Sequence, residues 1–147
     1  MAIEDNVSPG AVGPRTPVVA QQVGDSERML ALPRHFGQRL LTFEGAVYDF
    51  MRRFAARYDG GYWRFYELSN GGFYMAPDGG PFRISVDTNG YEGEMSADAA
   101  GVTVCLFTCS HLSFRYSDDD VFSDHFHMLR EFAAHHAEAS AIFAAID

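Results

Sequence analysis

Four histidines crowd the C-terminal part of the chain, His125, His127, His135 and His136, with Asp124, Glu131 and Glu138 among them. Imidazoles and carboxylates at this density are the material of zinc sites and of general acid–base catalysis. Their helical phases argue against a shared metal ion. His127, Glu131 and His135 follow one another at i, i+4 and i+8, opposite the apolar stripe of Phe122, Phe126 and Leu129, so they line a solvent face. The outer two would stand ~12 Å apart at 1.5 Å per residue, too far to share an ion at ~2.1 Å bond lengths. His125 and His127 are two apart and point to different sides of a helix. His136 falls on the apolar side and reads as a core or boundary residue. No metal or other cofactor is expected.

The remaining chemistry-bearing patterns also have plain explanations. Cys105 and Cys109 are four apart in a predicted helix, where disulfide geometry is poor, and no third ligand completes a tetrahedral site. Ser69-Asn70-Gly71-Gly72 lies between two predicted strands, whereas a dinucleotide fingerprint opens a helix. The aromatic residues Trp63, Phe65, Tyr66, Phe73 and Tyr74 lack the basic surround of a nucleic-acid stacking platform, since only Arg64 is close. No nucleophile elbow or phosphate loop occurs, so no catalytic residue is assigned.

The elements that would position these residues follow from periodicity. Leu40, Val47, Phe50, Met51, Phe54 and Tyr58 recur at helical spacing, with Gly45 a possible break and Asp59-Gly60-Gly61 a stop. Next come Tyr62 to Leu68 and Phe73 to Ala76, joined through Asn70-Gly71 as a hairpin. Phe82 to Asp87 alternates strictly, and Asn89-Gly90 leads to Tyr91 to Met95. Ser96 caps a helix from Ala97 to Leu112 that is apolar nearly all round, although Val102-Thr103-Val104 is also compatible with a strand. Asp118, Asp119 and Asp120 open another helix, and Ala137 to Ile146 forms the last. The predicted fold is a single α+β domain, a four-stranded antiparallel meander sheet with helices packed on one face.

Bulk properties narrow the function. The chain has 147 residues, 47% of them hydrophobic, with 11 Lys plus Arg against 20 Asp plus Glu and a net charge of -9. Such a field repels phosphate backbones, so direct nucleic-acid binding is disfavoured, and the charge is too dilute to imitate a duplex carrying one charge per ~1.7 Å. Residues 1–27 are rich in Pro and Gly without a basic or apolar signal region, and are expected to form a flexible tail before a domain at 28–147. No apolar run approaches the ~20 residues of a membrane span, which together with reduced thiols suggests a soluble cytoplasmic monomer.

The strings Tyr66-Glu67-Leu68-Ser69-Asn70-Gly71-Gly72-Phe73-Tyr74-Met75, Met95-Ser96-Ala97-Asp98-Ala99-Ala100-Gly101 and His136-Ala137-Glu138-Ala139-Ser140, with the closing Ala145-Ile146-Asp147, resemble the ArdB/KlcA antirestriction family. Leu32-Pro33, His35-Phe36-Gly37 and Val47-Tyr48-Asp49 extend the resemblance to about Arg28–Asp147. It implies a small plasmid or mobile-element protein that relieves type I restriction of incoming unmodified DNA, as a non-enzymatic inhibitor and not as a DNA mimic. Its partner would be the restriction machinery, met directly or through a host factor. A small hydrolase using a His and a carboxylate from the C-terminal helices is the alternative, and a plasmid transcription regulator, opposed by the charge, comes third.

For the partner surface the alternating strand turns Ser85 outward between Ile84 and Val86, and Glu138 and Asp147 flank the buried stripe of the closing helix. Asn70 and Asp98 lie in the matching strings and rank lower, because turn geometry and helix capping account for them.

Overall fold

A computed structural model describes residues 16–147. The two Asn-Gly turns decide the layout of its strands. Between β2 (Trp63–Leu68) and β3 (Phe73–Pro77), Gly71 takes φ +95°, and the Asn70 side chain accepts from the Gly72 amide at 3.1 Å. Between β4 (Phe82–Val86) and β5 (Tyr91–Met95), Gly90 takes φ +77°, and Asn89 accepts from the Tyr91 amide at 2.9 Å. Positive φ at these positions is cheap for glycine and allows the reversal. Both hairpins are antiparallel, with Phe65 opposite Met75 and Ile84 opposite Gly93.

All four expected strands are present, yet β3 and β4 do not pair. One sheet joins β2 and β3 to a further strand, β1 (Ala20–Gln22), in the order β1-β2-β3, and the other is β4-β5. The cause is the helix α3 (Ala97–Arg115), which lies against β3 so closely that a Cβ at Gly101 would come within 2.5 Å of the Met75 carbonyl oxygen. Four residues along α3, the Cys105 thiol donates to that same carbonyl at 3.5 Å. The helix therefore takes up the backbone edge that a neighbouring strand would need.

The third strand of the first sheet comes from the region expected to be a tail, which corrects its boundary at residue 27. In β1 (Ala20–Gln22), Ala20 stands opposite Leu68 and Gln22 opposite Tyr66, while the Ser69 amide donates to the Val19 carbonyl at 2.9 Å. Val23 is buried beyond it, and a 3-10 turn over Asp25–Glu27 leads into α1 (Arg28–Phe36). Ala-Gln-Gln has no apolar alternation to announce it, because an edge strand is held by its backbone. Residues 1–15 of the expected tail lie outside the described residues. Pro33 falls inside α1, which obscured that helix in the sequence.

The chain continues through α2 (Leu40–Phe54), which runs unbroken past Gly45 and ends before Tyr58. After the hairpins and α3 come α4 (Val121–Ala133) and α5 (Ala139–Ile146). As expected, α3 is buried nearly all round, and its β-branched run is helical. By length and composition it could cross a bilayer, but its apolar sides face β3, α2, α4 and α5. The largest buried side chains, among them Phe43, Phe73, Tyr74, Leu106 and Phe122, come from every layer around it.

Candidate functional site: a polar seam at the start of α3

Three strings far apart in sequence converge where α3 begins. Ser96 is the N-cap of α3, its hydroxyl accepting from the Ala99 amide at 3.1 Å. That hydroxyl donates to one oxygen of Glu138, and the Ser96 amide donates to the other at 3.0 Å. Two residues on, Asp98 accepts from the Tyr74 hydroxyl and from His136 Nε2, both at 2.7 Å. The Glu138 amide donates to His136 Nδ1 at 2.9 Å, so Nδ1 is unprotonated and Nε2 carries the proton given to Asp98. Glu138 and His136 thus clamp the α4–α5 connection onto the first turn of α3.

The electrostatics follow from these bonds. Burial disfavours the Asp98 carboxylate, but the hydrogen bonds from His136 and Tyr74 outweigh it and hold its pKa below the ordinary value. Burial, then the bond to Asp98, pushes the Tyr74 phenol far up. The ring of Tyr74 lies between Tyr66, 4.7 Å away and 11° from parallel, and Phe132 at 5.4 Å. Beyond Phe132 the seam continues to Asn70, whose amide donates to the Met128 carbonyl at 2.9 Å and to Glu131 at 3.0 Å.

The seam bears directly on catalysis. His136 has one ring nitrogen accepting from a backbone amide and the other donating to Asp98, which leaves it no lone pair for a substrate proton. Among the described residues no group of three or more His, Cys, Asp or Glu side chains is placed to hold a metal ion. His127 and His135 are exposed, and both cysteines are free and buried.

Of the nominated surface residues, the seam unites Asp98 and Glu138 and reaches Asn70. Glu138, expected on the flank of α5 and available to a partner, is half-buried and bonded to Ser96. Asn70 carries the turn duty expected of it and also ties that turn to α4, whereas Ser96 makes the cap of α3 and Asp98, in its first turn, binds Tyr74 and His136. Ser85 and Asp147 are exposed and lie outside the seam.

Sequence reasoning missed Tyr74, Ser96 and His136 as one unit, since their partners are 24 to 42 residues away. It also missed a second cluster, in which His35 Nε2 meets Glu67 at 2.7 Å while the His35 ring packs edge-on to buried His125 at 5.1 Å. Arg34 adds a 2.8 Å ion pair to the same Glu67. The shared strings carried the only signal for either group.

Comparisons with known proteins agree with these strings. A family model described as antirestriction protein matches residues 56–147. Two Escherichia coli proteins named antirestriction protein KlcA are similar, one 48% identical over 90% of this chain and 95% of its own length. The other is 46% identical over 89% and 96%. A solved structure from work on the KlcA and ArdB proteins superposes with a TM-score of 0.84 at 46% identity, covering 92% of this chain and 99% of its own. That work describes a novel fold and antirestriction activity against type I DNA restriction systems in vivo but not in vitro.

Proposed function

The chain belongs to the antirestriction protein family of KlcA and ArdB, and from that premise we propose that it relieves type I restriction of incoming unmodified DNA by binding, without catalysis. The observation that carries this reading is the 48% identity to KlcA over 90% of the chain, together with a family model whose match, residues 56–147, contains the seam. The non-enzymatic part is supported by the seam itself, whose polar groups are engaged with one another instead of being presented to a substrate. A net charge of -9 on 147 residues supports an inhibitor that does not imitate DNA.

The partner is the type I machinery, reached directly or through a host factor. Activity of the solved relatives in vivo but not in vitro supports the involvement of a component present in the cell. The protein acts as a monomer in the cytoplasm and is carried by a plasmid or other mobile element. Its partner surface includes Ser85 and Asp147, whose exposed side chains make no hydrogen bond or ion pair among the described residues.

Plating unmodified phage on a type I restricting host tests the proposal. The expressed protein should raise plating efficiency, and equal efficiencies with and without it would reject the function. Ser85→Ala and Asp147→Asn should leave the melting temperature unchanged and reduce relief. Retained relief in both folded variants would remove this surface from the site. Glu138→Ala differs, because it takes two bonds from Ser96 and should cost about 1–3 kcal/mol of stability.

A further inference from the structure

A groove of about 680 Å³ runs between the outer faces of α2 and α3, on residues outside the polar seam. Its floor is aromatic: Phe50 lies 5.8 Å from Phe107 and 5.7 Å from His111, and Phe54 lies 4.8 Å from Phe107. Midway along α2 the floor opens at Gly45, where a Cβ would have nothing within 4 Å. From Leu41 to Phe54 the α2 side extends for ~20 Å at 1.5 Å per residue, the length of an extended helical segment rather than of a compact ligand.

Two further features describe the occupant. Leu41 and Phe114 are 72% and 82% exposed, and Phe114, seven residues after Phe107, continues the same face of α3. Large side chains left in water beside an aromatic floor suit an apolar partner face. The charged lining comprises Arg53 and Arg115 against Asp49, in a chain whose net charge is -9. Asp49 is paired with Arg52 and Arg53 with Asp87, each at 3.0 Å, whereas Arg115 makes no ion pair among the described residues. The groove thus presents one cation without a carboxylate partner, Arg115, on an acidic molecule.

We propose that this groove docks a short amphipathic helix of a partner protein, its apolar side on Phe50 and Phe107 and its acidic side towards Arg115. The proposal rests on the antirestriction reading for its setting, since it gives an inhibitor without a reaction centre a surface with which to hold another protein.

The probe is a fluorescently labelled amphipathic peptide of about 14 residues, with leucines on one face and glutamates on the other, compared with its lysine counterpart. Anisotropy titration of the whole protein should give saturable binding of the acidic peptide and far weaker binding of the basic one. Gly45→Phe fills the opening from a helical position, and Arg115→Glu reverses the unpaired charge. Each should weaken binding about tenfold or more, whereas Gly45→Ala should not. Absence of saturable binding, equal binding of the two peptides, or unchanged binding by both variants at wild-type melting temperature would overturn the proposal. So would sedimentation of a dimer that Gly45→Phe dissolves, which would assign the groove to a second copy. Restriction relief is scored in parallel. Peptide binding without relief by wild type would sink the proposed function alone, and relief that survives Gly45→Phe would separate the groove from it.

Discussion

His125 is the side chain whose surroundings most constrain its chemistry. Buried beside His35 and Phe36, it leaves Nδ1 without a hydrogen-bond partner. Burial, then repulsion from His35, lowers its pKa from 6.5 to about 4. A histidine with a depressed native pKa binds its proton more readily when unfolded, so stability is full above pH 6.5 and is lost on acidification towards pH 4. The loss should approach about 3 kcal/mol. Asp98 acts in the same sense but only below the ordinary carboxylate range, because its own native pKa is depressed and its stabilisation is lost on further acidification. Melting curves from pH 7 to pH 4 should therefore fall, and His125→Phe should flatten that slope. An unchanged slope would show that another group drives it.

At the scale of elements, two glycines in helices make opposite predictions. Gly101 lets α3 approach β3, and a Cβ there would meet the Met75 oxygen at 2.5 Å and the Ala76 Cα at 2.6 Å. Both are backbone or nearly so and cannot step aside. Gly101→Ala should thus cost about 2–3 kcal/mol, a melting shift of roughly 5–10 °C downward. Gly45 faces open space, so Gly45→Ala should stabilise α2 by about 0.5–1 kcal/mol. Thermal melts of the two variants test the claim that α3, and no strand, lies against the edge of β3. A harmless Gly101→Ala would refute it.

For the molecule as a whole, α3 is the element that the others share. It packs on β3, α2, α4 and α5, so loss of any of these uncovers the same core. The thiols on it report that arrangement. Burial pushes Cys105 up to about 12 and Cys109 well above its ordinary value, and thiolates are the reactive form. Both should resist a thiol reagent in the native state and react together, in step with global unfolding in urea. A fast native reaction at either cysteine, or two separate phases, would mean that α3 opens locally.

What the sequence determined by itself were the features that depend on near neighbours. Two Asn-Gly turns, the alternation of Phe82–Val86, the Ser96 cap, the buried α3 and the unpaired cysteines all follow from spacing and local conformational preference. Family membership was legible too, because long strings carry more information than any single motif. Tertiary structure decided the rest. Whether β3 takes a strand or a helix at its edge depends on a single missing Cβ at Gly101, a contact made across 25 or more residues. The β1 strand is held by backbone hydrogen bonds that no side chain advertises. The bond of Glu138 to Ser96 was not legible because Ser96 stands 42 residues earlier, and only the fold brings a carboxylate and a helix cap within hydrogen-bonding distance.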